Sequence, residues 1–425
     1  MQKGDFLYQQ YINILKEELR PAMGCTEPIA LAYAGAKARQ ILGKQPDKVR
    51  LFVSGNIIKN VKSVVVPNTG GQHGLAAALC AGIVAGDAEK ELQVISKVPK
   101  ERHGEIRAYM DAVDLDIQPA YSELVFDIDV IEYAGSDCVR LRIINHHTNI
   151  VLIEKNGEKL VDLPITESSE DQLTDKSCLS IERIVEFTDC LDVEDIRECI
   201  SEQIRCNMEI AREGLEGDWG ANIGSVILRR QGTSVEKKAS AYAAAGSDAR
   251  MSGCEKPVMI VSGSGNQGIT ASVPVAVYAQ ETGASEEMLL KAVALSNLVT
   301  IHQKAGIGRL SAYCGAISAG CGAGAGIAYL NGGDAHAIAH TVVNAIAILS
   351  GTICDGAKPS CAAKIAAAVD AGILGYHMYL EGQQFYGGDG IVTKGVDNTV
   401  YNIGKLAREG MRETDRTILE IMLSN

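Results

Sequence analysis

Aromatic residues and positive charge are both scarce in this chain. Phe, Trp and Tyr make up 5% of its 425 residues, too few for the stacking platforms of single-strand binders. Lys and Arg number 40 against 53 Asp and Glu, a net charge of -13. No Lys/Arg-rich block offsets that balance, so no nucleic-acid partner is expected. Residues 1–6 lack an apolar h-region, so no secretory signal is read and a cytoplasmic, reducing location is expected. Two long uncharged stretches, 257–280 and 335–354, contain Pro257, Asn266, Gln267 and Pro274 in the first and His336, His340 and Asn344 in the second. Such residues speak against bilayer spans, so no membrane partner is expected and the stretches read as buried small-residue helices. The C-x2-4-C hooks of zinc sites and the C-x2-C runs of ferredoxins are missing, and the eight histidines show no HExxH motif or paired ligand spacing.

What the chain does have is length, 44 glycines and 12 cysteines. Its size allows two or three packed units. Apolar spacing predicts helices over 5–20 and from Glu27 to Leu42, the second capped by Thr26 with Pro28 in its first turn. Short strands are expected over 49–54 and 62–66, joined by a Gly55-Asn56 turn. Residues 67–74 break structure and lead into a helix over 74–86. From about 90 to 165 charge rises, and strands are expected over 122–133, 137–145 and 149–155. Amphipathic helices follow over 180–214, then small-residue helices from about 239 to 380. The expected fold is α+β: a mainly α-helical catalytic core of small-residue helices over 1–88 and 175–425, with a smaller α/β subdomain inserted at 89–174.

Cys80, Cys138, Cys190, Cys199 and Cys206 sit in ordinary amphipathic or strand-like surroundings and read as small hydrophobes. Cys314, Cys321, Cys354 and Cys361 form two pairs that each span six intervening residues, and Cys25 lies in the Gly- and Pro-bearing segment 21–28. Thiolates on turns and helix starts suit an iron–sulfur cluster and equally suit a reactive thiol. Pro359 and Asp355-Gly356 make 354–361 a loop closing on a helix that begins near Ser360. Cys361 then falls in the first turn, where the helix dipole favours thiolate. Such a loop can aim Cys354 and Cys361 at one metal centre. If 311–329 is a single helix, Cys314 and Cys321 lie about 10.5 Å apart along its axis. That spacing strains joint ligation, so one of the two is expected as a ligand and the other as core.

Gly263-Ser264-Gly265-Asn266-Gln267-Gly268 matches GxGxxG after the strand-like 257–262, the strongest case for a dinucleotide site. Pro274 is expected to interrupt the following helix early, and no second strand with a terminal acid follows about 20 residues on. A turn whose amides and Asn266 bind a small carboxylate fits better. For pyridoxal phosphate, Lys304 and Lys364 are candidates without an adjacent phosphate-cradling loop. His73, in the Gly-rich loop, is the histidine to watch, while His146 and His147 lie in the charged insert and read as structural.

Taken together, segments 21–28, 66–70, 262–268, 313–316 and 353–358 resemble the serine dehydratase α-chain-like superfamily, specifically its L-cysteine desulfidase branch. The likeness runs from about residue 10 to 420. It implies a [4Fe-4S] cluster held by Cys314, Cys354 and Cys361, with Cys321 left as an alternate ligand. It implies Cys25 as base or temporary fourth ligand, and substrate contacts from Asn68, Thr69, Ser264 and Asn266. The implied reaction is β-elimination from a small L-amino acid, most simply L-cysteine to pyruvate, ammonia and sulfide. L-serine dehydration is one alternative, and a non-catalytic amino-acid-binding protein without the cluster is another. The expected partner is the small amino acid itself, with a homodimer as the assembly considered.

Overall fold

The computed structural model describes residues 1–120, 122, 124–165, 173–308 and 311–424. The chain is 60% helical with a mixed six-stranded sheet, the mainly helical α+β fold expected. Its first half contains α1 (Phe6–Glu18), β1 (Arg20–Met23), α2 (Thr26–Leu42), β2 (Lys48–Val53), α3 (Gly55–Val61), α4 (Gly74–Ala85) and α5 (His103–Ala112). Five strands follow: β3 (Asp114–Pro119), β4 (Asp127–Ala134), β5 (Asp137–Ile144), β6 (Ile150–Lys155) and β7 (Glu158–Asp162). The remainder is helical apart from β8 (Pro257–Ile260). Before β8 come α6 (Ile181–Cys190), α7 (Arg197–Glu216), α8 (Ile223–Gln231) and α9 (Val235–Met251). After it come α10 (Gly265–Thr282), α11 (Glu286–Ile307), α12 (Gly315–Leu330), α13 (Ala335–Leu349), α14 (Cys361–Leu380), α15 (Val396–Lys405) and α16 (Arg412–Leu423).

The sheet runs in the order β3-β2-β4-β5-β6-β7, with β2 and β3 parallel and the other pairs antiparallel. Gly135-Ser136 and Asn156-Gly157 turn the β4–β5 and β6–β7 hairpins, and Asn156 and Gly157 both take positive φ, the conformation an Asn-Gly turn supplies. Of the strand expected over 122–133, Glu123 lies outside the described residues, as does the stretch 166–172 of the expected insert. The apolar residues gather into two main clusters. One joins the sheet to α2, α3, α4 and α5, and the other joins α1 and β1 to the helices from α6 onward. The first cluster thus crosses residue 88, because Val49, Leu51 and Val53 of β2 alternate into the same core as Ile128 and Val130.

Three local expectations are corrected. Residues 55–61 form α3 instead of a turn, since Ile57, Ile58 and Val61 repeat at helical spacing into the core, and 62–66 contributes only a Val65–His73 bridge. Thr26 is the first residue of α2, with Cys25 as its N-cap. Pro274 lies within an unbroken α10. That helix is buried nearly all round, and packing of this kind outweighs the hydrogen bond that proline removes. No helix among the described residues is long and apolar enough to cross a membrane.

Candidate active site

Backbone register brings the cysteines together. On α12 and α14, Gly320 faces Ala368 and Gly324 faces Gly372, so tightly that a Cβ built on Gly372 would stand 2.2 Å from the Gly320 carbonyl oxygen. The two helices therefore run in the same direction, and six or seven residues back their N-termini present Cys314 and Cys361 at one end. Cys314 is the N-cap of α12, and Cys361 opens α14 as the loop reading anticipated. The helix expected over 311–329 therefore begins only at Gly315, which leaves Cys321 fully buried inside it.

Cys354 joins them through a short antiparallel bridge, Tyr313 to Ile353. Cys314 N–H donates to Thr352 O at 3.1 Å and Cys354 N–H to Ala312 O at 2.6 Å. Residues flanking a bridged pair project to the opposite side of the ladder, so Cys314 and Cys354 share a face as diagonal neighbours. The 354–361 loop is then pinned in place. Lys364 pairs with Asp355 at 2.6 Å and donates to Ile353 O at 2.8 Å, and Lys358 pairs with the same carboxylate. Burial pushes that carboxyl up, but the two lysines outweigh it and hold it at about 2. Gly356 has φ +93°, and a Cβ there would meet Lys59 O at 2.1 Å, so only glycine lets the loop rest on α3.

These groups line one cavity of about 510 Å³. Cys25, Cys314, Cys354 and Cys361 all face it, as do Ser264 and Asn266. Asn68 and Thr69 do not. The Asn68 side chain donates to Ile95 O and Thr69 Oγ1 to Val66 O, so both hold their own loop together. His73 is exposed and caps α4 away from the cavity, whereas His146 and His147, read as structural, line it with Asn145. Their hairpin tip between β5 and β6 is carried in by sheet geometry, which no local signal in the sequence announces. A second cavity of about 850 Å³ shares Ser262, Lys304 and Gly308 with the first.

Arg250 is the residue the sequence reading missed. It lies in the last turn of α9, is 3% exposed and lines the cavity. Its Nε–H donates to Gly24 O at 3.0 Å, and no hydrogen-bond partner meets its two Nη groups among the described residues. The guanidinium lies over the start of α10, where a Cβ on Gly265 would stand 2.4 Å from Nε. Gly265 of the GxGxxG segment thus makes room for a cation. The segment follows β8, which pairs antiparallel with β1 in a two-stranded ribbon. The parallel βαβ unit of a dinucleotide fold is not built here. Polar atoms without partners among the described residues belong to the same cavity lining: Asn266 Oδ1, Gln267 Oε1, Asn56 Oδ1 and the Tyr313 hydroxyl. Buried polar groups are usually paired, so this lining calls for a polar ligand.

Burial raises the Cys25 thiol to about 12 despite the opposing pull of Arg250, and raises the half-buried Glu27 carboxyl beside it. Burial, with Cys354 adding to it, likewise takes the Cys314 thiol up to about 12. Coordination reverses that preference, because a bound metal deprotonates its thiol ligands outright. Among the described residues no group of three or more His, Cys, Asp or Glu side chains stands close enough to hold a single metal ion. Thiolates are the ligands an iron–sulfur cluster takes, and Cys314, Cys354 and Cys361 line one cavity.

Residues 64–420 match the family model described as serine dehydratase alpha chain. A UPF0597 protein of Desulfitobacterium hafniense (strain Y51) is 57% identical over 424 residues, covering 100% of this chain and 99% of the relative. UPF0597 proteins of Lachnoclostridium phytofermentans and Treponema denticola are 46% and 43% identical, each covering 98% of this chain and 100% and 98% of their own lengths. The chain belongs to the serine dehydratase alpha chain family.

Proposed function

We propose that the chain is an iron–sulfur-dependent lyase that performs β-elimination on a small L-α-amino acid, with L-cysteine the leading substrate. The observation that carries this reading is the meeting of Cys314, Cys354 and Cys361 with Arg250 and a set of unpartnered polar atoms in one cavity. Family membership points to a lyase of the serine dehydratase kind. In this reading Cys314, Cys354 and Cys361 hold a [4Fe-4S] cluster. Bound there, the cluster supplies a Lewis-acidic iron for the leaving group.

The protein's own residues do the rest. The Nη edge of Arg250 receives the substrate carboxylate in a charge-assisted pair, the geometry guanidinium favours. Ser264 and Asn266 at the start of α10 add donors and acceptors beside it. Asn68 and Thr69, implied by the resemblance, would support the neighbouring loop from behind. Elimination also needs an acceptor for the Cα proton held within reach of it. Cys25 fills that role once its thiol, held protonated by burial, has given up its proton, or it serves as a temporary fourth ligand, and Glu27 is the adjacent carboxyl on the same helix start.

The test is anaerobic reconstitution followed by pyruvate and sulfide assays with L-cysteine, L-serine and their D-forms. Pyruvate with stoichiometric sulfide from L-cysteine supports the leading reading. Pyruvate from L-serine alone supports the second reading, L-serine dehydration, which the family description favours. Iron binding that survives Cys354→Ala in full would remove that residue from the ligand set. Comparing Cys25→Ala with Glu27→Gln separates the two candidate proton acceptors. Thermal stabilisation by either amino acid without pyruvate would leave only a binding protein.

A further inference from the structure

Far from the cavity, two imidazoles face each other on the outside of α13. His336 and His340 stand one turn apart, with their Nε2 atoms 3.1 Å from each other and ring centroids 4.3 Å apart. His336 Nδ1 lies 3.5 Å from the Tyr379 hydroxyl of α14, and the His340 ring stacks on Tyr379 with centroids 5.8 Å apart and 22° between planes. This i, i+4 pair corrects the expectation that the histidines lack paired ligand spacing.

We propose that His336 and His340 form a surface chelate for a borderline divalent transition ion of the Zn²⁺, Co²⁺ or Ni²⁺ class. Imidazole is a ligand these ions accept readily, and i, i+4 is the helical spacing that delivers two rings to one ion. With metal–nitrogen bonds of about 2.05 Å, a 3.1 Å separation gives an N–metal–N angle of roughly 98°, between square and tetrahedral. The other ring nitrogen of His336 is turned toward a hydroxyl, as the outer nitrogen of a ligating histidine usually is. Burial, with His336 adding to it, holds His340 below the ordinary imidazole range, so its ring is neutral at neutral pH. The rings are already opposed, so little side-chain freedom is lost on binding. Two protein ligands leave the remaining positions to water or a small anion.

The site is separate from the cysteine cavity. Tyr379 lies 18 residues along α14 from Cys361, about 27 Å of helix. Titration of the full chain with Co²⁺ reads the two places apart, because thiolate ligation brings sulfur-to-metal charge transfer in the near ultraviolet and imidazole ligation does not. The expected result is one equivalent of Co²⁺ without charge transfer in the wild type, lost in His336→Ala and in His340→Ala with iron content unchanged. Zn²⁺ should displace it. Equal stoichiometry in the wild type and both variants would overturn the proposal. Should His340→Ala lower the melting temperature by itself, His336→Ala at its exposed position decides the matter alone.

Discussion

Two ionisable side chains show opposite uses of burial. Arg250 is buried with one edge satisfied and the other facing the cavity. Replacing it with Lys keeps the charge and removes the planar fork. Loss of a charge-assisted hydrogen bond should raise KM for the amino acid about 10–100-fold, with kcat changed less, in an anaerobic pyruvate assay. A KM within about twofold of wild type, where roughly 0.4 kcal/mol is lost, would remove Arg250 as the carboxylate anchor. Glu132 of β4 is the contrasting case. It is 0% exposed and both carboxyl oxygens lack partners among the described residues. Burial, only weakly opposed by Arg39, holds its carboxyl well above the ordinary range. The folded chain therefore keeps a proton that the unfolded chain releases once pH passes about 4.3. Its stabilising contribution is complete below that pH and is lost as pH rises toward the folded value, at up to about 1.4 kcal/mol per pH unit. Glu132→Gln should flatten that slope in urea melts run from about pH 5 to about pH 8. Identical slopes in the two proteins would show that the carboxyl ionises freely in the fold.

Helices that touch through glycine are sensitive to single carbons. Gly372→Ala places a methyl against the Gly320 carbonyl and should cost about 1–3 kcal/mol through overpacking. Since α12 and α14 carry Cys314 and Cys361 at their shared end, the variant should also hold less iron after reconstitution. Unchanged melting temperature together with unchanged iron would show that the crossing yields without moving the cysteines. This element scale is also where the sequence is most and least legible. The β6–β7 turn and the start of α14 could be read because Asn156-Gly157 and Pro359 act locally. The helix α3 and the passage of α10 through Pro274 could not, since each is decided by burial against partners distant in sequence. Cys354 and Cys361 were visible as a loop clamp, whereas Arg250, His146 and His147 enter the cavity only through tertiary placement. Neither the end of a helix nor the tip of a hairpin says what it will face.

At the scale of the whole molecule, the cavity lies between the sheet-bearing cluster and the helical one, and a C-terminal strap roofs it. α15 packs on α11, a π-helical turn spans Leu406–Gly410, and α16 crosses to α3. π-Turns are rare and often mark functional sites. Ala407, Arg408, Met411, Arg412 and Asp415 of this strap line the cavity. Asp415 pairs with Lys59, which is 2% exposed, and Leu419 fills the space beside Gly55. Asp415→Asn leaves a buried ammonium without its counter-charge and should cost about 3–5 kcal/mol in urea melts. Cys25, 1% exposed, should then alkylate faster, as followed by mass spectrometry. Wild-type stability and alkylation rate would show that the strap does not depend on this pair.

The strap lies C-terminal to every cysteine in the chain. Asp415 follows Cys361 by 54 residues (415 minus 361), which a ribosome working at 5–20 residues per second needs roughly 3–11 s to add. During each round of synthesis the full set of thiols therefore exists before its roof does. Until the strap has left the ribosome and docked, Asp415 and its neighbours cannot cover those thiols.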